Sequence, residues 1–458
     1  MYSIMQTVRR AAARYPAAGD VLRSVRNLSL QVRFAACTGG IRTQRHTVLF
    51  CCFEGKSCAD SPKAIFEYMV RSGKYDDFTF LWAFCGDTET LKRRRQELAR
   101  VVMRVRKGRA ASQADDAAVR SMPRIYVVPY GTKEFYHAMA ISKYWILNYK
   151  VKDFIRPRRG QVFVQCWHGT PLKRLGYDIT HYDHPENTAA GLARHYGIEA
   201  EKFTYFLSPS PYASEKFRSA WRLDEIGKAD IIIEEGYPRN DILVNHTPED
   251  AARVRARILR RFVHDAASFR AAAGKKIILY APTYRQMQFT GSTYAATAPL
   301  DFSRLRYQIG DAYLILLRAH YMTVSAFDLT DCGDFVLDVS DVDDINDLYL
   351  ITDLLVTDYS SVMFDFSVLR RPMIFFMYDL DYYRDISNGF YFEPQEVLPG
   401  PIVKNQAELT AAIRTCGSEK EMDAAQDGSY DRFRKMFNPY EDGHAAERVT
   451  ARIFGERD

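Results

Sequence analysis

Three times along this chain an apolar, β-rich run empties into a short loop, then a hydroxyl residue followed by proline, then a helix-compatible stretch. The run 46–53 leads through Glu54-Gly55-Lys56-Ser57 to Ser61-Pro62, 161–167 leads through His168-Gly169 to Thr170-Pro171, and 203–207 leads to Ser208-Pro209-Ser210-Pro211. A serine or threonine before proline reads as a helix N-cap and first helical position: the side-chain oxygen accepts an orphan N–H, and proline's fixed φ already suits the helix. Strands alternating with helices in this way build a parallel, doubly wound sheet. Further strands are expected at 78–84, 125–128, 144–147 and 231–233.

The same order restarts after 248–273, a polar, arginine-rich stretch of helical character without strand signals. Strand 276–280 runs into Ala281-Pro282-Thr283-Tyr284-Arg285, 313–317 into Arg318-Ala319-His320, 335–339 into an acidic helix start, and 354–357 into Asp358-Tyr359-Ser360-Ser361 with a helix to Arg370. Strand 373–376 follows, and 430–454 reads as helical. At 458 residues, with 47% hydrophobic and 13% aromatic residues, the chain has material for two packed domains. The fold class is therefore α/β, with two doubly wound Rossmann-type domains facing each other across a cleft between the carboxyl ends of the two sheets, where ligands are expected to bind.

Composition narrows the chemistry. A net charge of +6 fits phosphorylated substrates or an anionic membrane and does not call for nucleic acid. Eight cysteines are scattered, none in a CxxC or Cys/His array of zinc spacing, which reads as reduced core cysteine in the cytoplasm. Residues 1–36 carry six arginines and no continuous apolar h-region, and no run of about 18 apolar residues crosses a bilayer. The mixture of arginine and aliphatic residues there suits a basic amphipathic helix, either on an anionic membrane surface or packed on the protein. The charge run from Lys92 to Arg109 reads as a solvated helix face or as a contact for lipid headgroups or an anionic polymer.

Neither GxxxxGK[ST] nor GxGxxG occurs, so phosphate recognition must come from elsewhere. His168, beside a helix start and followed by Lys173 and Arg174, places a proton acceptor next to an anion site. Ser360 and Ser361 after a buried strand can hold a diphosphate, with Asp365 one turn on; Arg285 and Arg318, each directly after a strand, add charge-assisted bonds, and His320 stands beside the second. Asp341-Val342-Asp343 has the spacing of a metal motif but lies in a run of carboxylates at a helix start, and His181, Asp183 and His184 sit in a polar loop without a supporting ligand set. No metal and no cofactor is expected.

Five ordered blocks resemble the CDP-glycerol glycerophosphotransferases of teichoic acid synthesis: Trp167-His168-Gly169-Thr170-Pro171-Leu172-Lys173, Gly236-Tyr237-Pro238-Arg239-Asn240-Asp241, Tyr280-Ala281-Pro282-Thr283-Tyr284-Arg285, Leu317-Arg318-Ala319-His320 and Thr357-Asp358-Tyr359-Ser360-Ser361-Val362-Met363-Phe364-Asp365. Phe53-Glu54-Gly55-Lys56, Ser61-Pro62-Lys63-Ala64-Ile65, Arg371-Pro372-Met373-Ile374-Phe375 and Leu398-Pro399-Gly400-Pro401 are similar to the family as well. Cys51-Cys52 and Tyr284 depart from its usual residues.

The resemblance implies a GT-B-like pair of domains: 1–40 a basic helical segment, 41–245 an acceptor domain, 246–273 a linker helix, 274–428 a CDP-donor domain and 429–458 a helix packing back. It further implies transfer of glycerol phosphate from CDP-glycerol to a hydroxyl of a lipid-linked or poly(glycerol phosphate) acceptor, with release of CMP, at the inner face of the cell membrane. Under it His168 is the general base. His320, Arg285 and Arg318 bind the diphosphate, while Thr357, Asp358, Ser360, Ser361 and Asp365 hold the donor. Gly169, Thr170, Lys173, Arg239 and Asn240 are further phosphate or acceptor contacts. A CDP-ribitol phosphotransferase, another GT-B nucleotide-sugar transferase or an inactive membrane-bound scaffold are the competing readings.

Overall fold

The computed structural model describes residues 16–112, 123–180, 189–283, 289–290, 293–294, 300–319, 327, 329–330, 332–385, 389–416 and 428–455. Its strands are β1 (Gln44–Cys51), β2 (Thr79–Phe84), β3 (Arg124–Pro129), β4 (Ser142–Leu147), β5 (Val162–Gln165), β6 (Tyr205–Ser208), β7 (Ile232–Glu234), β8 (Lys276–Ala281), β9 (Phe289–Thr290), β10 (Thr293–Tyr294), β11 (Tyr313–Leu317), β12 (Val336–Asp338), β13 (Leu354–Thr357), β14 (Met373–Phe376) and β15 (Ile402–Val403). The chain forms two compact units. The first holds the chain up to Lys56, Met69–Gln165 and Gly197–Tyr205; the second holds Ser57–Tyr68, Cys166–Tyr196 and everything from Phe206.

In the first unit β3, β2, β1, β4 and β5 lie side by side in that order, all parallel. Strands covered on both faces need near-continuous apolar runs, and β1 and β2 supply them. Phe50 stacks on Trp82 at 5.2 Å, and Trp82 on Phe84 at 5.8 Å. The helix Pro16–Thr38 docks through Phe34 and Thr38, with the Phe34 ring edge-on to Tyr136 and Phe154.

In the second unit a six-stranded parallel sheet runs β12-β11-β8-β13-β14-β15. The first strand in sequence, β8, lies in the middle, and successive strands add outward to either side. The order therefore reverses beside β8, which is the topological switch point of a doubly wound sheet. β6 and β7 pair in parallel in the same unit. The stretch 246–273 forms the helices Pro248–Phe262 and Ala266–Ala273, the first with a Thr247/Asp250 capping box. Ile258, Leu259 and Ala272 enter the same core as Ile277 and Leu279 of β8. The helices Ser429–Phe437 and Ala445–Phe454 also belong to this unit, and Phe433 and Phe437 pack on Phe364. Parallel α/β sheets are thus present as the sequence predicts.

Candidate active site

The carboxyl ends of four strands at the switch point open into a cleft of about 840 Å³. Its walls include Ala281 at the end of β8 and Pro282 just beyond it, Arg318 and Ala319 after β11, Asp338 and Ser340 at β12, and Ser360 after β13. Asp358, 2% exposed, fastens two of these strand ends together: its Oδ1 accepts from the Thr283 N–H at 2.8 Å and the Thr283 hydroxyl at 2.6 Å. Thr357 adds a bond from its hydroxyl to the Ala281 carbonyl at 2.7 Å. Thr357 and Asp358 thus brace the floor, and Ser360 is on the wall. Arg318 lines the cleft with one Nη1 donating to the Val342 carbonyl at 2.7 Å and, more weakly, to Val339 at 3.4 Å. Burial lowers its pKa from the usual arginine value. Arg285 and His320 lie outside the described residues, as do His181, Asp183 and His184.

The loop carrying His168 reaches this region through Gly169. A Cβ on Gly169 would come within 2.5 Å of the Ser361 Oγ and 2.9 Å of its Cβ, so only glycine permits the approach. His168 itself is exposed. Its neighbour Trp167 holds φ at +50°, a left-handed conformation that is a genuine outlier for a bulky residue and costs about 1–2 kcal/mol. The Trp167 ring stacks on the imidazole at 4.3 Å with 28° between planes.

The helix expected after Thr170-Pro171 does not form. Leu172 instead accepts from the Tyr391 N–H at 2.9 Å, Arg174 N–H donates to Gly389 at 3.2 Å, and Lys173 bridges antiparallel to Phe390. The extended backbone finds its partners in 389–391, and that outcompetes the local Thr-Pro signal. Thr170 is buried with its hydroxyl lacking a hydrogen-bond partner among the described residues, the opposite of a working N-cap. His168 therefore sits on a strand-to-loop turn, and the segment that follows it, Thr170–Leu175, offers no helix N-terminus to an anion.

Arg239, Asn240 and Asp365 come together, but in a buried cluster. Arg239 Nη1 donates to Asp60 Oδ1 at 3.0 Å; its Nη2 and Nε reach Asp365 Oδ1 at 3.0 and 3.3 Å, and the guanidinium lies 4.0 Å over the Tyr237 ring. Asn240 Nδ2 donates both to Asp365 Oδ1 and to Glu441 Oε1, each at 3.1 Å. The Tyr237 N–H also donates to Glu441. Burial raises the pKa of Asp365, with Arg239 opposing it, and pushes Glu441 up to about 8 against the pull of its two donors. Asp60 is held at φ +61°, so the Arg239 pair also fixes a strained helix start at Ser61-Pro62.

The family model described as CDP-glycerol:poly(glycerophosphate) glycerophosphotransferase matches residues 34–455. The chain belongs to this family. It is 35% identical over 415 residues to a teichoic acid glycerol-phosphate transferase of Staphylococcus aureus, covering 90% of this chain and 93% of that protein. It is 34% identical over 394 residues to a teichoic acid poly(glycerol phosphate) polymerase of Staphylococcus epidermidis, of whose length it spans about half, 48%. Among solved structures, that of the wall teichoic acid polymerase TagF superposes with a TM-score of 0.75 at 30% identity, covering 94% of this chain and 96% of that one. The α/β, GT-B-like class expected from the sequence holds.

In this chain the carboxylates around Asp341-x-Asp343 supply ion-pair and helix-start contacts. Asp341 pairs with Arg261, while Asp344 caps the helix Ile345–Ile351 and binds Lys63 at 2.6 Å. Sequence reasoning missed Asp60, Lys63 as an ion-pair partner, and Glu441. Asp60 and Lys63 flank Ser61-Pro62, so the motif itself pointed to them. Glu441 meets Asn240 across 201 residues of chain, and no local pattern marks such a pairing.

Proposed function

We propose that this chain transfers glycerol phosphate from CDP-glycerol to a hydroxyl of a lipid-linked or poly(glycerol phosphate) acceptor. The acceptor oxygen bonds to the β-phosphorus, the bond from that phosphorus to the bridging oxygen breaks, and CMP leaves with the bridging oxygen. His168 takes the acceptor proton. Arg318 and Ser360, with Arg285 and His320, hold the diphosphate, since transfer of this kind needs little beyond a base, positioning and positive charge. The observation that carries the reading is the Gly169–Ser361 contact, which brings the His168 turn to the serine pair at the switch-point cleft. Glycerol is favoured over ribitol because the glycerol-phosphate relatives are 32–35% identical over most of this chain, whereas a ribitol-phosphate primase of Bacillus spizizenii is 30% identical over 69% of it. CMP release measured with each donor and a short glycerol-phosphate oligomer should favour CDP-glycerol by at least about tenfold, one discriminating contact's worth. Equal rates, or faster release from CDP-ribitol, would overturn the donor.

The partner and location belong to the same proposal: a cytoplasmic enzyme lying on the inner face of the membrane. No described helix is long and apolar enough to cross a bilayer. Helix Pro16–Thr38 instead turns Val25, Leu28 and Val32 outward, 59–61% exposed, on the face opposite Phe34 and Thr38. That aliphatic stripe, in a segment rich in arginine, suits an anionic lipid surface. Replacing Val25, Leu28 and Val32 together by serine should weaken sedimentation with phosphatidylglycerol vesicles at least about tenfold, given roughly 0.8 kcal/mol per buried methylene. Unchanged sedimentation would refute the surface assignment.

A further inference from the structure

Trp167 has a feature that the transfer chemistry above does not use. It adopts a left-handed φ of +50° immediately before His168, and its ring lies against the imidazole at 4.3 Å and 28°. The ring does not float: Trp221 meets it edge-on at 4.8 Å and 87°, and Phe206 and Phe217 flank it at 6.1 and 6.2 Å. Those three are at most 1% exposed and pack on one another, Phe206 on Phe217 at 4.6 Å. A rigid aromatic wall thus fixes the plane of Trp167, and Trp167 in turn offers a flat face to an otherwise exposed histidine. On the other side of His168, Gly169 is pressed against Ser361.

Backbone strain of this kind persists only where the surroundings over-determine it, and it collects at functional turns. Placing a tryptophan where glycine or asparagine would sit without strain makes sense if the ring is needed there. We propose that Trp167 is a positioning residue for His168: its ring fixes the imidazole plane toward the acceptor hydroxyl, and its π face supports the imidazolium that forms when His168 takes the proton. This inference rests on His168 being the base. It commits to an effect on turnover, with little on donor binding.

The test uses the full chain with CDP-glycerol and a glycerol-phosphate oligomer. Trp167→Gly removes the ring while suiting the left-handed backbone, and should lower kcat by roughly 30–100-fold, as misplacing a reacting group does, with the KM for CDP-glycerol unchanged within about twofold. Trp167→Phe, which keeps an aromatic face, should restore most of the rate. In a His168→Ala background Trp167→Gly should add nothing, because residues acting as one unit are non-additive. Wild-type kcat in Trp167→Gly, or an equal further loss in the His168→Ala background, overturns the positioning role. A fully active His168→Ala overturns the base reading instead, and the two failures are read separately. Should Trp167→Gly fail to fold, the wild-type protein still decides. The imidazole proton resonances of His168, identified by their loss in His168→Ala, should lie upfield of the free imidazole position through the ring current of Trp167, and an unshifted position overturns the stacking.

Discussion

His168→Ala is expected to abolish detectable CMP release from CDP-glycerol, a loss on the order of 10²–10⁴-fold for removal of a general base, in a protein that melts as the wild type does and still binds CDP. The separation of these effects follows from where the residue sits. His168 is exposed, so truncating it opens no core cavity, and a surface change away from special features alters stability by about 0.5 kcal/mol or less. The nucleotide should be held from strand ends on the other side of the Gly169–Ser361 contact, where Arg318, Ser360 and the Thr283–Asp358 clasp keep their places whatever occupies position 168. Calorimetric titration with CDP and a CMP-release assay on the same preparation decide the matter. Turnover at the wild-type rate would remove His168 from the chemistry, while loss of CDP binding together with activity would mean that the turn shapes the donor site and is more than the seat of a base.

Much of this arrangement was written in local pattern. The apolar runs 313–317, 354–357 and 373–376 became β11, β13 and β14 residue for residue, because a strand buried on both faces has to be apolar throughout its length. Gly169 stood in the loop between the strand and Thr170-Pro171, and only the fold supplies the reason for glycine there, the Ser361 side chain 2.5 Å from where its Cβ would be. Thr170-Pro171 misled, since the same dipeptide that caps a helix also suits an extended chain, and 389–391 offered that chain a backbone partner. Arg239 and Asp365 were marked by motif. Their mutual pairing was not, because it joins residues 126 apart, one in the turn Pro238–Asn240 and the other in the helix Val362–Phe366. A sequence shows which groups must be inside more readily than it shows which of them answer one another.

That pairing sets the second large expectation. Arg239→Ala should destabilise the protein by about 3–5 kcal/mol, the usual result of breaking a buried pair from one side. Arg239 side-chain exposure is 4%, with Asp60 at 7% and Asp365 at 8%, so the carboxylates have no water to turn to when the guanidinium is gone. The deficit should also depend on pH, with a sign fixed by linkage. Burial already raises the pKa of Asp365 while Arg239 opposes the rise, so losing Arg239 raises it further in the folded state. A folded-state pKa above the unfolded value means that the folded variant binds more protons, and its stability falls as pH rises through that interval. The variant should therefore lie closer to wild type near pH 5 than near pH 8, as read by urea midpoints at the two values. Asp365→Asn in the Arg239→Ala background should recover part of the loss at pH 8, because it removes one of the stranded charges and leaves an acceptor for Asn240 Nδ2, now 3.1 Å away. A single variant as stable as wild type at pH 8 would mean that the cluster contributes no net stability. A loss that is the same at both pH values would mean that the cost is lost packing over Tyr237, 4.0 Å beneath the guanidinium, rather than uncompensated charge.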